Sequence, residues 1–270
     1  MKNEEIIKFL QWALPQIHMR WSGFRRVYRQ VGKRISRRIS VLKIENLKSY
    51  EKYLHEHPME WEILDSLCRI SISRFYRDRA VFDSFKSHIF PYLCSSQTNE
   101  IRVCSLGCCS GEEPYTVQMI WNHFIQSTVK LTLIAIDNDA HMLHRAQRGL
   151  YQPSSVRELP PELYRFFCRR GELFQLKDEI RKNVKFIKMD LRKKLPDGKF
   201  NLILCRNLVF TYYDDTMQKN ILERLSKKIS LEGLLIIGIH EKLPFSLGYF
   251  EVFDGLRGVF KRADHYFIRR

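Results

Sequence analysis

At 270 residues and 44% hydrophobic, the chain is long enough to bury a core without disulfide staples, as one domain of ordinary size plus a smaller one. No window approaches the roughly 20 apolar residues of a membrane span, and the N-terminus, with Glu4 and Glu5 near Lys2, lacks a signal-peptide pattern, so a cytoplasmic protein without membrane insertion is expected. A net charge of +16 and a pI near 9.6 favour an acidic partner, whether nucleic acid, an anionic membrane face or a carboxylate-rich protein surface, and charge alone does not choose among these.

Residues 1 to about 75 read as helical throughout. Phe24, Tyr28, Val31, Ile35, Ile39 and Leu42 fall on one stripe at three- and four-residue intervals, while Arg20, Arg25, Arg26, Arg29, Lys33, Arg34, Arg37 and Arg38 occupy the other faces with no acid among them. This is a basic amphipathic helix, or two helices broken near Gly32. Like charges packed so densely repel one another, which an acidic partner would answer. A second helix runs from Glu60-Trp61 to about Ile70. The stretch Ser71 to Asp78 then reads as a linker, placed as a natural lid beside any cleft in the domain that follows.

From about residue 100 strands alternate with helices, the pattern of a doubly wound, mostly parallel α/β sheet. Strands are expected at Ile101 to Leu106, Leu131 to Ile136, Val184 to Met189, Phe200 to Cys205 and Gly233 to Ile239, with a helix from Asp214 to Ile229 and closing antiparallel strands at Tyr249 to Phe253 and Tyr266 to Ile268. The domains expected are 1–75 and 76–270.

The first of these strands runs into Gly107-Cys108-Cys109-Ser110-Gly111-Glu112-Glu113-Pro114-Tyr115, a strand, glycine turn and helix start of the nucleotide-binding type. A dinucleotide fingerprint needs a middle and a third glycine for close approach to pyrophosphate, and here Cys109 and Glu112 fill those places. Glu112 and Glu113 put negative charge where a helix N-terminus would otherwise hold an anion. The ligand should therefore carry positive charge. S-adenosylmethionine meets that demand, with an adenosine, no phosphate, and a sulfonium and an ammonium at its methionine end. The second strand ends in Asp137, one strand-helix-strand unit beyond Gly111, where an acid can accept both ribose hydroxyls. The plain alternative is that the two glutamates complement a helix dipole and Asp137 caps the next helix. The seven cysteines, never spaced C-x-x-C and mostly set in apolar runs, read as core thiols in a reducing compartment; Cys108-Cys109 has no partner at ligand spacing, and no metal is expected.

Four segments, Arg74-Phe75-Tyr76-Arg77-Asp78, Gly111-Glu112-Glu113-Pro114-Tyr115, Ala135-Ile136-Asp137 and Cys205-Arg206-Asn207, occur in the order in which the CheR-type chemotaxis-receptor glutamate methyltransferases carry them, and the chain resembles that family over almost its whole length. The resemblance implies a Rossmann-like class I methyltransferase domain behind a small all-α N-terminal domain. It also implies methyl transfer from S-adenosyl-L-methionine, leaving S-adenosyl-L-homocysteine, to glutamates of a protein substrate, a chemoreceptor or another glutamate-rich protein. On the same footing Ser71, Ser73 and Arg77 reach the cofactor from the linker, and Gly107 and Gly111 shape its loop. Glu113 meets its ammonium end, Asp137 holds the ribose, and Asp190 with Leu191 lies near the adenine, at a position that is usually Asn. Arg206 and Asn207 line the cleft, and Arg34, Arg37 and Arg38 match the helix that faces the acidic substrate. Arg77 and Tyr212 are the catalytic candidates.

Two departures matter. The family's tyrosine stands four residues after the asparagine, where this chain has Thr211, so one inserted residue makes Tyr212 the match and leaves Tyr213 as the alternative. The late Gly-His-Ser-Glu becomes Gly238-Ile239-His240-Glu241. A carboxylate acceptor is already ionised at neutral pH and needs no general base, so the enzyme has to supply orientation and partial desolvation. Rival functions are a nucleic-acid (RNA) methyltransferase, against which stands the lack of an Asn-Pro-Pro-Tyr type motif, and a non-catalytic binding module.

Overall fold

The computed structural model describes residues 2–96, 99–244 and 248–263. They divide into two units, one formed by residues 1–70 with 208–218 and the other by 71–207 with 219–270. The break thus falls after Ile70, not at the expected 75/76, and the helical unit is completed by a segment from far along the chain.

The N-terminal part of the first unit carries α1 (Asn3–Gln16), α2 (Trp21–Phe24), α3 (Tyr28–Val41), α4 (Leu47–Glu56) and α5 (Glu60–Cys68). The apolar stripe read from the sequence is the buried face of α2 and α3: Phe24, Val31, Ile35 and Ile39 are all buried. α3 runs unbroken through Gly32. A Cβ there would lie 2.8 Å from Ile6 Cδ1, so the glycine lets α1 approach α3 closely instead of interrupting it. The segment 208–218 closes this unit through Arg20 N–H to Tyr212 O at 2.8 Å and Asp214 N–H to His18 O at 3.0 Å. The ring of Tyr212 meets Phe24 edge-on at 5.2 Å.

The second unit holds a seven-stranded sheet. Its strands are β1 (Glu100–Leu106), β2 (Lys130–Asp137), β6 (Val184–Lys188), β7 (Phe200–Cys205), β8 (Ile229–Ile237), β9 (Phe250–Val252) and β10 (Val259–Arg262), in the order β6-β2-β1-β7-β8-β10-β9. The five strands from β6 to β8 are mutually parallel, and β10 runs antiparallel to both β8 and β9. Val103, Cys104, Leu202, Ile203, Leu204, Leu234, Leu235 and Ile236 are buried, as strands covered on both faces require. The order reverses beside β1, so the C-terminal ends of β1 and β7 flank the crevice where sheets of this kind take ligands.

One expectation needs correction here, and one further sheet was not foreseen. The strand expected from Gly233 begins at Ile229, directly behind the helix Asp215–Lys228, and its register against β7 slips between Phe200 and Leu202. A separate antiparallel sheet of β3 (Leu150–Tyr151), β5 (Leu173–Leu176) and β4 (Phe167–Arg170) is inserted between β2 and β6 and has no counterpart in the sequence reading. Among the described residues the last strand pair uses 250–252 and 259–262, the first of them within the expected Tyr249 to Phe253, and the expected strand Tyr266 to Ile268 lies outside the described residues.

Candidate active site

β1 delivers the chain into the turn Gly107 to Gly111. Gly107, Cys109 and Gly111 all take positive φ (76°, 51° and 90°), and the amides of Gly107 and Cys108 both donate to Ile136 O, at 2.8 and 2.9 Å. Gly111 caps the helix Glu112–Phe124, and a Cβ there would sit 2.9 Å from both Ala146 Cβ and Tyr115 Cε2. Only glycine satisfies the backbone angle and the space together. At the end of β2 the Asp137 carboxylate is fixed from two sides, by the amides of Cys109 and Asp139, each at 2.8 Å. That geometry ties the glycine turn to the tip of the neighbouring strand and joins two of the residues singled out from sequence.

The paired glutamates have different fates. Glu112 is buried and accepts hydrogen bonds from Ser110 Oγ at 2.9 Å; burial pushes its pKa up, against the opposing pull of the hydroxyls around it. It is therefore no part of an exposed anionic rim, which corrects the expectation that both glutamates face a ligand. Glu113 keeps a little exposure. It accepts from Ser105 Oγ at 2.8 Å and pairs with Arg206 Nη1 at 3.0 Å. A carboxylate has about four lone-pair sites, so these two bonds do not exhaust it.

Arg206, at the end of β7, is the most connected side chain of the site. Only 3% exposed, it pairs with Glu113 and, through Nη2, with Asp78 at 2.7 Å and the Arg77 carbonyl at 2.9 Å, and it lies 5.0 Å from the centre of the Phe82 ring. Its Nε is buried without a partner. Asn207 adopts φ 54° and donates its amide to Glu241 Oε2 at 2.9 Å, which also accepts from Gly238 N at 2.7 Å. A Cβ on Gly238 would lie 2.6 Å from Asn207 Nδ2, so glycine is what leaves room for the asparagine side chain. The departure at Gly238-Ile239-His240-Glu241 keeps both members that this arrangement uses.

The linker 71–78 belongs wholly to the second unit. Arg74 pairs with Glu158 at 2.7 Å, Phe75 N–H donates to Ser155 O at 2.9 Å, and the buried Phe75 ring packs edge-on against Tyr151 and Phe167. So anchored, it is a wall and not the free lid expected from the sequence. Arg77 Nη1 donates to the Ile72 carbonyl at 2.9 Å, and Arg77 pairs with no carboxylate among the described residues. Asp190 is engaged by Arg192 at 2.8 Å and by Asn138 Nδ2 at 3.3 Å. Burial works to raise its pKa, but the Arg192 guanidinium holds it below the usual carboxylate value. Leu191 beside it is buried. Cys108 and Cys109 are buried and half-buried; burial, with Glu112 and Asp137 nearby, pushes the Cys109 thiol up to about 12, far from a reactive thiolate. Cys168, on β4, is exposed and does not fit the core-thiol expectation.

In the helical unit the three docking arginines separate. Arg38 forms a two-pronged pair with buried Glu60, at 2.7 and 2.9 Å, and Arg34 Nη1 donates to the carbonyls of Leu67 and Arg69. Both hold the fold together. Arg37 is exposed, as are Arg25, Arg26, Arg29 and Lys33. Of the two tyrosines, Tyr213 is buried and bridges backbone to backbone with Met19, whereas Tyr212 is half-buried.

These residues fit a sulfonium and sugar-diol ligand better than a diphosphate. The glycine turn offers a tight backbone floor, Asp137 places a carboxylate at the end of β2, and Glu113 places another in the first turn of the helix that follows the glycine turn.

Comparison with known proteins agrees. Residues 71–259 match the family described as CheR methyltransferase, SAM binding domain. The chemotaxis protein methyltransferase of Borreliella burgdorferi is 30% identical over 224 residues, covering 77% of this chain and 79% of its own length. That of Listeria monocytogenes is 28% identical over 79% of this chain and 81% of its own, and that of Escherichia coli 29% identical over 77% and 74%.

Proposed function

Because the chain belongs to the CheR methyltransferase family, we propose that the S-adenosylmethionine-dependent methyl transfer it performs is directed to glutamate side chains of an acidic protein, the chemoreceptor class being the acceptor that the relatives' names suggest. The observation that carries this reading is the site's acid and arginine content. Asp137 and Arg206 at strand ends and Glu113 in the first turn of the helix Glu112–Phe124 are held by hydrogen bonds of 2.8–3.0 Å, and the arrangement supplies orientation and charge without a histidine or thiolate base. An acceptor carboxylate needs neither. When bound, the cofactor supplies an electrophilic methyl on a sulfonium: the carboxylate oxygen forms the new C–O bond as the S–CH3 bond breaks, and the electron pair remains on sulfur, giving a methyl ester and S-adenosyl-L-homocysteine. In this reading Asp137 holds the ribose, Glu113 the ammonium, Asp190 and Leu191 flank the adenine, and Ser71, Ser73 and Arg77 complete the wall. Tyr212 aligns the incoming carboxyl oxygen; Tyr212→Phe lowering turnover at saturating cofactor, with Tyr213→Phe near wild type, is the expected pattern. Docking falls to Arg25, Arg26, Arg29, Lys33 and Arg37, since Arg34 and Arg38 are spent internally.

The test is chemical. Incubation with tritiated cofactor and extract, followed by mild base, should release volatile methanol from glutamyl esters. Base-stable label in RNA would replace this reading with nucleic-acid methylation, and no label at all would leave a binding module.

A further inference from the structure

Asp78 stands at the N-cap of the helix Arg79–Ser84, the position where an aspartate ordinarily accepts a hydrogen bond from the first turn, yet it makes no such cap bond. Its backbone is left-handed (φ 64°, ψ 65°), and two residues earlier the bulky Tyr76 is left-handed as well (φ 58°). Such conformations persist only where the surroundings over-determine them. Here they do. The Tyr76 hydroxyl donates to Asp83 at 2.9 Å, its amide to Thr116 Oγ1 at 3.3 Å, and its ring is buried. The Asp78 carboxylate turns away from its own helix to Arg206, 128 positions along the chain, at 2.7 Å.

We propose that Asp78 is a positioning residue for the cofactor site: through Arg206 it fixes the end of the linker, and so the placement of Arg77 and Ser73, relative to the ends of β1 and β7. Arg206 donates from the same Nη2 to the Arg77 carbonyl and from Nη1 to Glu113, so one guanidinium sets the linker and the acid of the glycine turn in a common frame. With the charge of Asp78 removed, Arg206 keeps Glu113 but the strained 76–78 segment loses its electrostatic anchor. The inference rests on the cofactor half of the function above and is independent of the acceptor.

The experiment uses full-length protein carrying Asp78→Asn, Asp78→Ser, Arg206→Gln, or Asp78→Asn with Arg206→Gln. Two readouts are taken: calorimetric affinity for S-adenosyl-L-homocysteine, and the rate of tryptic cleavage after Arg77 without ligand. Loss of one charge-assisted hydrogen bond should weaken affinity about tenfold in Asp78→Asn and speed cleavage. Asp78→Ser, a competent cap without charge, should behave the same way, and the double variant should be no worse than Arg206→Gln alone. Wild-type affinity and cleavage in Asp78→Asn, full retention by Asp78→Ser, or additive losses in the double variant would each overturn the proposal. Asp78→Ser and the cleavage assay carry the test if Asp78→Asn folds poorly. Wild-type protein that binds the homocysteine product but esterifies no glutamate would sink the acceptor reading alone.

Discussion

The carboxylates of this chain do different work according to what burial leaves them. Asp137 accepts two backbone amides, so it both shapes the glycine turn and presents a charged acceptor. Asp137→Ala should weaken binding of S-adenosyl-L-homocysteine by about 1.5–3 kcal/mol, and unchanged calorimetric affinity would argue against its ribose role. Glu60 is an acid of the fold. Burial raises its pKa, but the Arg38 guanidinium and the Tyr50 hydroxyl, at 2.8 Å, outweigh burial and hold it below the usual 4.5. A depressed folded pKa contributes stability that is present above the unfolded value and lost as pH falls through the folded one, so this cluster should weaken only below about pH 4.5. Arg38→Ala leaves the buried Glu60 carboxylate without its counter-ion and with only the Tyr50 hydroxyl, which should cost about 3 kcal/mol at pH 7. Its pH dependence should then reverse, with stability rising from pH 7 to pH 5 as Glu60 takes up a proton. Urea melts of both proteins across that range check the sign.

At the scale of elements, what could be read from sequence was whatever repeats or turns sharply. The long parallel strands, the turn Gly107 to Gly111 and the stripe from Phe24 to Ile39 show in periodicity and glycine spacing, and the structure has them. The inserted sheet of β3, β4 and β5 does not, because strands of two and four residues are too short for alternation to register. Asp78 was hidden for another reason. Its partner Arg206 lies 128 positions along the chain, and only the fold brings the two together. Gly32 misled in the opposite direction, since close approach of α1, invisible in one sequence, explains it. Gly111 is the element-scale prediction. With φ +90° and neighbours at 2.9 Å on two sides, Gly111→Ala should lower stability by about 1–3 kcal/mol and abolish measurable cofactor affinity, and an alanine variant with a wild-type denaturation midpoint would contradict the tight turn.

For the whole molecule, the excess of 46 basic over 30 acidic residues has to be divided between charges that hold the fold and charges that face solvent. Arg38 and Arg206 belong to the first group, each offset by the acids it pairs with, and Arg34 is tied down by the Leu67 and Arg69 carbonyls. On α3 the second group is ordered: Arg29, Lys33 and Arg37 recur every four residues on the face opposite Val31, Ile35 and Ile39, so they form one exposed line that a contiguous acidic helix or strand could match. Exposed charges act over roughly 8–10 Å at ordinary ionic strength and fade as salt rises. Replacing Arg29, Lys33 and Arg37 by glutamate should therefore raise KM for the protein acceptor severalfold and flatten its dependence on salt, while affinity for S-adenosyl-L-homocysteine and the denaturation midpoint stay near wild type. The same swap at Arg38 should instead unfold the helical unit by setting two carboxylates against each other. An acceptor KM and salt slope unmoved by the triple substitution would mean that this line of charge meets something other than the substrate.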